Sequence, residues 1–170
     1  MKKIALIIAH KDYQAIEYGL TKTTLEKAGI NVTTVSDEPE NAIAHDGSNT
    51  SVDLTIDQLN PADYDGLFLI GGPGALDCLD NYTVHSIMQQ TESLNLLFGA
   101  ICISPRILAK AEVLGGKNAT GWDKDNKLTD IFNTHVVNYI HKPVVIDGKI
   151  VTAVGPEATQ EFANAILELL

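Results

Sequence analysis

The sequence predicts an α/β protein with a doubly wound, mostly parallel sheet flanked by helices on both faces. Three observations predict it. Runs such as "KIALIIAH" and "LLFGAIC" are continuously apolar, as parallel strands buried on both faces should be. Helical patterns separate these runs, and strands alternating with helices pack as layers joined by crossovers. Glycine-rich or polar breaks end the strands, as in "LFLI" followed by "GGPG". Open sheets of this type place ligands beyond the carboxyl ends of their strands.

In chain order, "KIALIIAH" is the first strand, and residues 14 to 28 form a helix ended by Gly29. Projected at ~100° per residue, that helix gathers Tyr13, Ile16, Leu20, Thr24, Leu25 and Ala28 on one arc. "INVTTVS" is the second strand. "HDGSNTSVDLTIDQL" is polar and alternating, which predicts short antiparallel strands outside the main sheet. "YDGLFLIGGPGA" reads as a buried strand breaking into a glycine turn, followed by a helix at about 82 to 94 and the strand "LLFGAIC". A short helix covers about 104 to 112. "HVVNYI", "KPVVIDG" and "KIVTAVG" are late strands, the last two joined by an Asp147-Gly148 turn. The closing helix, "PEATQEFANAILELL", buries Phe162, Ile166 and Leu170, with Pro156 in its first turn.

With 170 residues and neither repeat nor linker, the expected organisation is one domain over 1–170. The net charge of −10, with Arg106 the only arginine, argues against a nucleic-acid partner, because phosphate contacts need clustered cations. No apolar run reaches the ~18 residues of a membrane span. The early apolar stretch is too short for a secretion signal and lacks a cleavage site. Two cysteines without an export signal point to the cytoplasm and to free thiols.

Three features fall at strand ends. Cys102 stands between the strand "LLFGAI" and the helix starting at Pro105, the strand–turn–helix arrangement of a nucleophile elbow. A helix N-terminus behind the thiol is expected to lower its pKa; the competing reading is a buried packing cysteine. Glu17 lies in the middle of the apolar arc of its helix. With no cation beside it, desolvation should raise its pKa. Gly71-Gly72 lets backbone N–H groups approach a bound atom and form an oxyanion hole. Neither G-x-G-x-x-G nor a Gly-Lys-Ser/Thr follows, so a phosphate cradle is not supported.

The early Glu before "LEKAGINV", then "YDGLFLIGGPGA", "AICISPRILAKAEVLGGKNAT" and "VIDGKIVTAVGPEATQEFANAILELL", resemble the ThiJ/PfpI family. That family includes the human protein linked to familial Parkinson's disease and belongs to the class I glutamine amidotransferase-like superfamily. The resemblance implies a flavodoxin-like fold and a homodimer. It places Cys102 on the family's oxidation-sensitive nucleophile, Glu17 on the acid that hydrogen-bonds it, and Gly72 on an oxyanion-pocket glycine. One departure stands out. The peptidase-like branch reads Cys-His-Gly at the elbow, whereas this chain reads Cys102-Ile103-Ser104, and Ile103 supplies no base.

The resulting expectation is a cofactor-free enzyme of the glyoxalase or deglycase type, acting on small reactive carbonyls such as methylglyoxal. Cys102 would be its nucleophile and Glu17 its proton carrier, with backbone N–H groups at Gly72 and Ile103 holding the oxyanion. The alternatives are a non-catalytic redox sensor or chaperone-like protein in which Cys102 becomes a sulfinic acid, and a slow intracellular cysteine peptidase. No metal site is expected, since His135 and His141 lack a third ligand in sequence reach. His10 is the one histidine placed near the site by strand order, and Cys78 is read as a packing thiol.

Overall fold

A computed structural model describes residues 1–170. The first strand, β1 (Lys3–Ile8), is buried from Ile4 onward. At roughly 1.5–3 kcal/mol per buried aliphatic side chain, it is a principal source of stability. A short strand, β2 (Lys11–Tyr13), leads into helix α1 (Ala15–Lys27), and β3 (Asn31–Ser36) pairs parallel to β1. Gln14 caps α1 by accepting the Ile16 N–H, and the chain leaves the helix through Gly29 at φ +81°, a left-handed conformation that glycine adopts without strain.

The polar stretch that follows forms β4 (Asn41–Ala44) and β5 (Asn49–Ser51), an antiparallel pair. With β2, which runs parallel to β4, they make a separate three-stranded sheet; of the strands expected over 45–59 only β5 lies in it, and its partner β4 precedes that stretch. The next strand, β6 (Leu54–Thr55), instead joins the edge of the main sheet beside β3. Next come β7 (Gly66–Leu69), helices α2 (Ala75–Leu79) and α3 (Tyr82–Ser93), strand β8 (Leu97–Ile101) and helix α4 (Pro105–Lys110). The last part holds β9 (Asn118–Ala119), α5 (Leu128–Thr134), β10 (Asn138–Tyr139), β11 (Val144–Asp147), β12 (Ile150–Ala153) and α6 (Thr159–Leu169).

The main sheet runs β11-β12-β8-β7-β1-β3-β6, parallel except for the β11–β12 hairpin that turns at Gly148. From β1 the chain goes outward to β3 and then returns to β7 on the other side. With right-handed crossovers this sends helices to both faces. On one face α1 packs against α6, where Phe162 meets Phe68 edge-on at 5.7 Å. The architecture is therefore the mostly parallel, doubly wound sheet with flanking helices that the sequence predicts.

Two expectations are corrected. Ile16 and Leu20 remain exposed on α1, while Glu17, Tyr18, Thr21 and Leu25 are its buried residues. The inner face is turned from the predicted arc because it carries polar anchors: the Tyr18 hydroxyl bonds Thr34 Oγ1 at 2.7 Å. "HVVNYI" is not a full strand, because α5 runs to Thr134 and only Asn138–Tyr139 pairs. Phe132, buried in α5, packs edge-on against Tyr139. That helical stripe was hidden in a segment without obvious apolar periodicity.

Candidate active site

The order reversal around β1 brings three segments to the carboxyl edge of the sheet. The first carries Gln14 and Glu17, the second Gly71 and Gly72 beyond β7, and the third Cys102 beyond β8. They are stitched together by main chain. Gln14 N–H donates to the Gly71 carbonyl at 2.9 Å, and Gly71 N–H donates to Glu17 Oε2 at 2.9 Å. Neither glycine tolerates a side chain. A Cβ at Gly71 would lie 2.5 Å from Cys102 Cβ and 2.8 Å from Glu17 Oε2. At Gly72, with φ +121°, it would lie 2.5 Å from both Asp12 O and Gln14 N.

Cys102 occupies φ +65°, a conformation a non-glycine residue holds only where its surroundings enforce it. Its N–H donates to Ala153 O at 2.9 Å, and its carbonyl accepts the Trp122 N–H at 2.7 Å. The buried Ser104 hydroxyl ties the same corner to Ile70 O at 2.8 Å. The expected strand, corner and helix are thus all present, with α4 beginning at Pro105.

Glu17 is fully buried. Burial pushes its carboxyl up to about 7, with Glu157 adding to the rise, while the Gly71 N–H and the Cys102 thiol act in the opposite direction. The thiol is the hydrogen-bonding side chain beside this carboxyl, but full hydrogen-bond geometry is not reached and Oε1 has no partner. The contact is a loose thiol–carboxyl approach.

The expected lowering of the Cys102 pKa is overturned. Burial and the neighbouring Glu17 carboxylate push the thiol well above its usual range, outweighing the Ile103 and Gly72 N–H groups that face the sulfur. α4 has only six residues, too short to reverse that balance through its dipole. Negative charge on the pair therefore rests on Glu17 rather than on sulfur, and it grows as pH rises through about 7. A thiolate forms most readily when Glu17 holds the proton.

The thiol opens into a cavity of about 400 Å³ lined by Gln14, Gly72, Pro73, Cys102, Ile103, Trp122, Lys124, Pro156 and Glu157. Of these, Gln14, Trp122, Lys124, Pro156 and Glu157 are not assigned to the site from the sequence, because only the folding of the sheet brings their segments to Cys102. Arg106 sets the position of the Trp122–Lys124 wall. Nearly buried, it donates two hydrogen bonds to Asp125, at 2.6 and 3.0 Å, and one to Trp122 O at 3.1 Å. Its guanidinium also lies 5.5 Å from the Trp122 ring centre, a cation–π contact.

The histidines are engaged elsewhere. His10 hydrogen-bonds Asp37 rather than serving the thiol, His135 pairs with Glu112, and His141 stacks on Tyr139. Ile103 remains at the cavity wall, so no imidazole stands next to the nucleophile position.

A strained thiol at the switch edge of a doubly wound sheet, beside a buried carboxyl, defines a nucleophile-elbow α/β protein. The particular family follows from comparison with known proteins. The chain belongs to the DJ-1/PfpI family, whose sequence model matches residues 2–169. An uncharacterised protein of Methanocaldococcus jannaschii is 29% identical over 169 residues, covering 99% of this chain and 82% of that one. Drosophila melanogaster DJ-1beta is 28% identical with a TM-score of 0.88, over 99% of this chain and 90% of its own. A ThiJ/PfpI domain protein of Brachyspira murdochii shares the fold, with a TM-score of 0.93 at 24% identity over 98% and 95% of the two chains. No helix is long and apolar enough to cross a membrane.

Proposed function

We propose that the protein is a cysteine-dependent, cofactor-free enzyme acting on small reactive carbonyls such as methylglyoxal, in the manner of glyoxalases and deglycases. In this reading residues 1–170 act as one ThiJ/PfpI-type domain. One observation carries it: a buried carboxyl raised to about 7 lies against a thiol that opens on a cavity of about 400 Å³. An acid–base group that titrates near neutrality is well matched to proton transfer at that pH.

The Cys102 sulfur bonds to the aldehyde carbon as Glu17 takes the thiol proton, giving a hemithioacetal. The carbonyl oxygen gathers charge beside the Gly72 and Ile103 N–H groups and is then protonated. Glu17 next moves the former aldehyde hydrogen, as a proton, to the neighbouring carbon, while the hydroxyl proton on the first carbon passes to the oxygen of the second. This oxidises the first carbon to a thioester and reduces the second to an alcohol. Water cleaves the thioester, releasing lactate and regenerating the thiol. Lactate formation from methylglyoxal, followed for the wild type, Cys102→Ala and Glu17→Gln, tests this. Equal turnover by Cys102→Ala removes the nucleophile role.

A second reading, an oxidant sensor, is favoured by the absence of an imidazole at Cys102. Two added oxygens on sulfur would meet the Gly72 and Ile103 N–H groups and a protonated Glu17. Intact mass after mild peroxide, with no carbonyl turnover, distinguishes it. The peptidase reading has the least support, since Ile103 offers no proton to an amine leaving group. A cytoplasmic homodimer completes the proposal. Ile16 and Leu20, one turn apart on α1, are both exposed, and the molar mass by light scattering tests the assembly.

A further inference from the structure

A second cluster of reactive side chains lies outside the thiol cavity and plays no part in the chemistry above. His10 follows β1, Asp37 follows β3 and Cys78 sits on α2. Their donor atoms all lie within 4.8 Å of one another. His10 Nδ1 is 2.6 Å from Asp37 Oδ2 and 3.6 Å from Cys78 Sγ. We propose that His10, Asp37 and Cys78 form a binding site for a divalent transition-metal ion of the zinc class.

A proton relay would need Asp37 and Cys78 on opposite nitrogens of the ring, as in a Cys–His–Asp triad. Here both approach the same nitrogen, Nδ1. An imidazole cannot pass a proton between two groups at one of its atoms. Three donors converging on one another are what a small cation satisfies. The donor set, one imidazole, one thiolate and one carboxylate, suits zinc, which takes nitrogen, sulfur and oxygen ligands in tetrahedral sites.

The spacing supports this. With Zn–S of ~2.3 Å, Zn–N of ~2.05 Å and Zn–O of ~2.0 Å, tetrahedral geometry separates sulfur from nitrogen by ~3.6 Å and nitrogen from oxygen by ~3.3 Å. The sulfur–nitrogen distance already stands at 3.6 Å. The nitrogen–oxygen pair, closed to 2.6 Å around a shared proton, must open by ~0.7 Å when the ion replaces that proton.

The supporting hydrogen bonds are in place. Asp37 Oδ1 accepts the His10 backbone N–H at 2.7 Å and the Ser36 hydroxyl at 3.3 Å. These hold the carboxylate while leaving Oδ2 for the ion. Asp37 also lines a cavity of about 290 Å³, so the carboxylate side of the cluster is open to solvent. His10 and Asp37 side chains are 39% and 19% exposed, so the site is reachable yet partly desolvated. On binding, the Cys78 thiol gives its proton to solvent as the metal–sulfur bond forms, and the proton between His10 Nδ1 and Asp37 leaves Nδ1 and is replaced, through solvent, by one on Nε2, so that the imidazole stays neutral.

Titration of the full-length chain with Co²⁺ as a spectroscopic substitute, and with Zn²⁺ by calorimetry, tests the site independently of carbonyl turnover. The expected result is one ion per chain, with a thiolate-to-cobalt charge-transfer band that Cys78→Ser abolishes and Cys102→Ser leaves intact. Asp37→Asn, which keeps the hydrogen-bonding shape, should weaken Zn²⁺ binding roughly ten-fold or more. Circular dichroism confirms that each variant is folded. A band that survives Cys78→Ser, a band lost in Cys102→Ser, or no stoichiometric binding at micromolar ion would overturn the proposal.

Discussion

Replacing Glu17 by Gln should change the pH dependence of stability in a direction that is unusual for a carboxylate. Its pKa rises from 4.5 to about 7 on folding, chiefly through burial. Between those values the folded chain keeps a proton that the unfolded chain has released. Stability conferred by the protonated acid is therefore full below 4.5, falls as pH rises towards 7, and stays low beyond. A difference of about 2.5 pH units, at ~1.36 kcal/mol each, gives ~3 kcal/mol lost by the wild type across that window. Gln has no such titration, and its amide oxygen still accepts the Gly71 N–H. Urea unfolding of both proteins at about pH 4.5 and about pH 8 isolates the effect, because other titrations cancel in the difference. The stability of Glu17→Gln relative to wild type should rise by ~3 kcal/mol between the two pH values. A change below ~1 kcal/mol would refute the claim that Glu17 is desolvated without a compensating cation.

If Glu17 is the proton carrier, wild-type carbonyl turnover should rise with pH through about 7, and the rising limb should vanish in Glu17→Gln; a pH–rate profile checks both. Gly72→Ala should cost at least ~2 kcal/mol because strain and backbone overlap coincide. Gly29→Ala, also at positive φ but with nothing within 4 Å, should cost only ~1 kcal/mol; melting curves separate them. Arg106→Ala should lose ~3 kcal/mol, the low end for breaking a buried pair because Asp125 is partly exposed. Emission from Trp122, the single tryptophan, should shift to the red as its wall loosens. Arg106 holds the Asp125 carboxyl down at about 2. Stabilisation by that ion pair is full above 3.8 and fades as pH falls through about 2, so the stability gap between wild type and Arg106→Ala should narrow there.

Much of this molecule was legible because the relevant signals are local. Unbroken apolar runs gave β1, β7 and β8, and the Asp147-Gly148 turn gave the β11–β12 hairpin. Glu17 could be singled out because a carboxylate on an inward helix face contradicts its surroundings, although Ile16 and Leu20, assigned to the same face, lie outside. What could not be read depends on long-range closure. Whether the dipole or the buried carboxyl governs the thiol depends on Glu17 being close and the pocket being buried, and neither is written near residue 102. Trp122 and Lys124 reach the cavity through the Arg106–Asp125 tether, a pairing across irregular chain. His10, Asp37 and Cys78 are separated widely in sequence, so their meeting needs the order of strands β1 and β3 with α2 beside them.

The hydrogen bond from Cys102 N–H to Ala153 O has a consequence for the order in which the chain takes shape. β8 lies between β7, already synthesised when Cys102 emerges, and β12, which leaves the ribosome much later. Until β12 docks, the left-handed turn at Cys102 lacks this clasp, and the loop at Trp122 has no fixed elbow to close upon. A nascent or truncated chain therefore carries a flexible cysteine that lacks the constraint holding its φ at +65°. The conformation of this residue is thus fixed only when the last strand of the parallel run has docked.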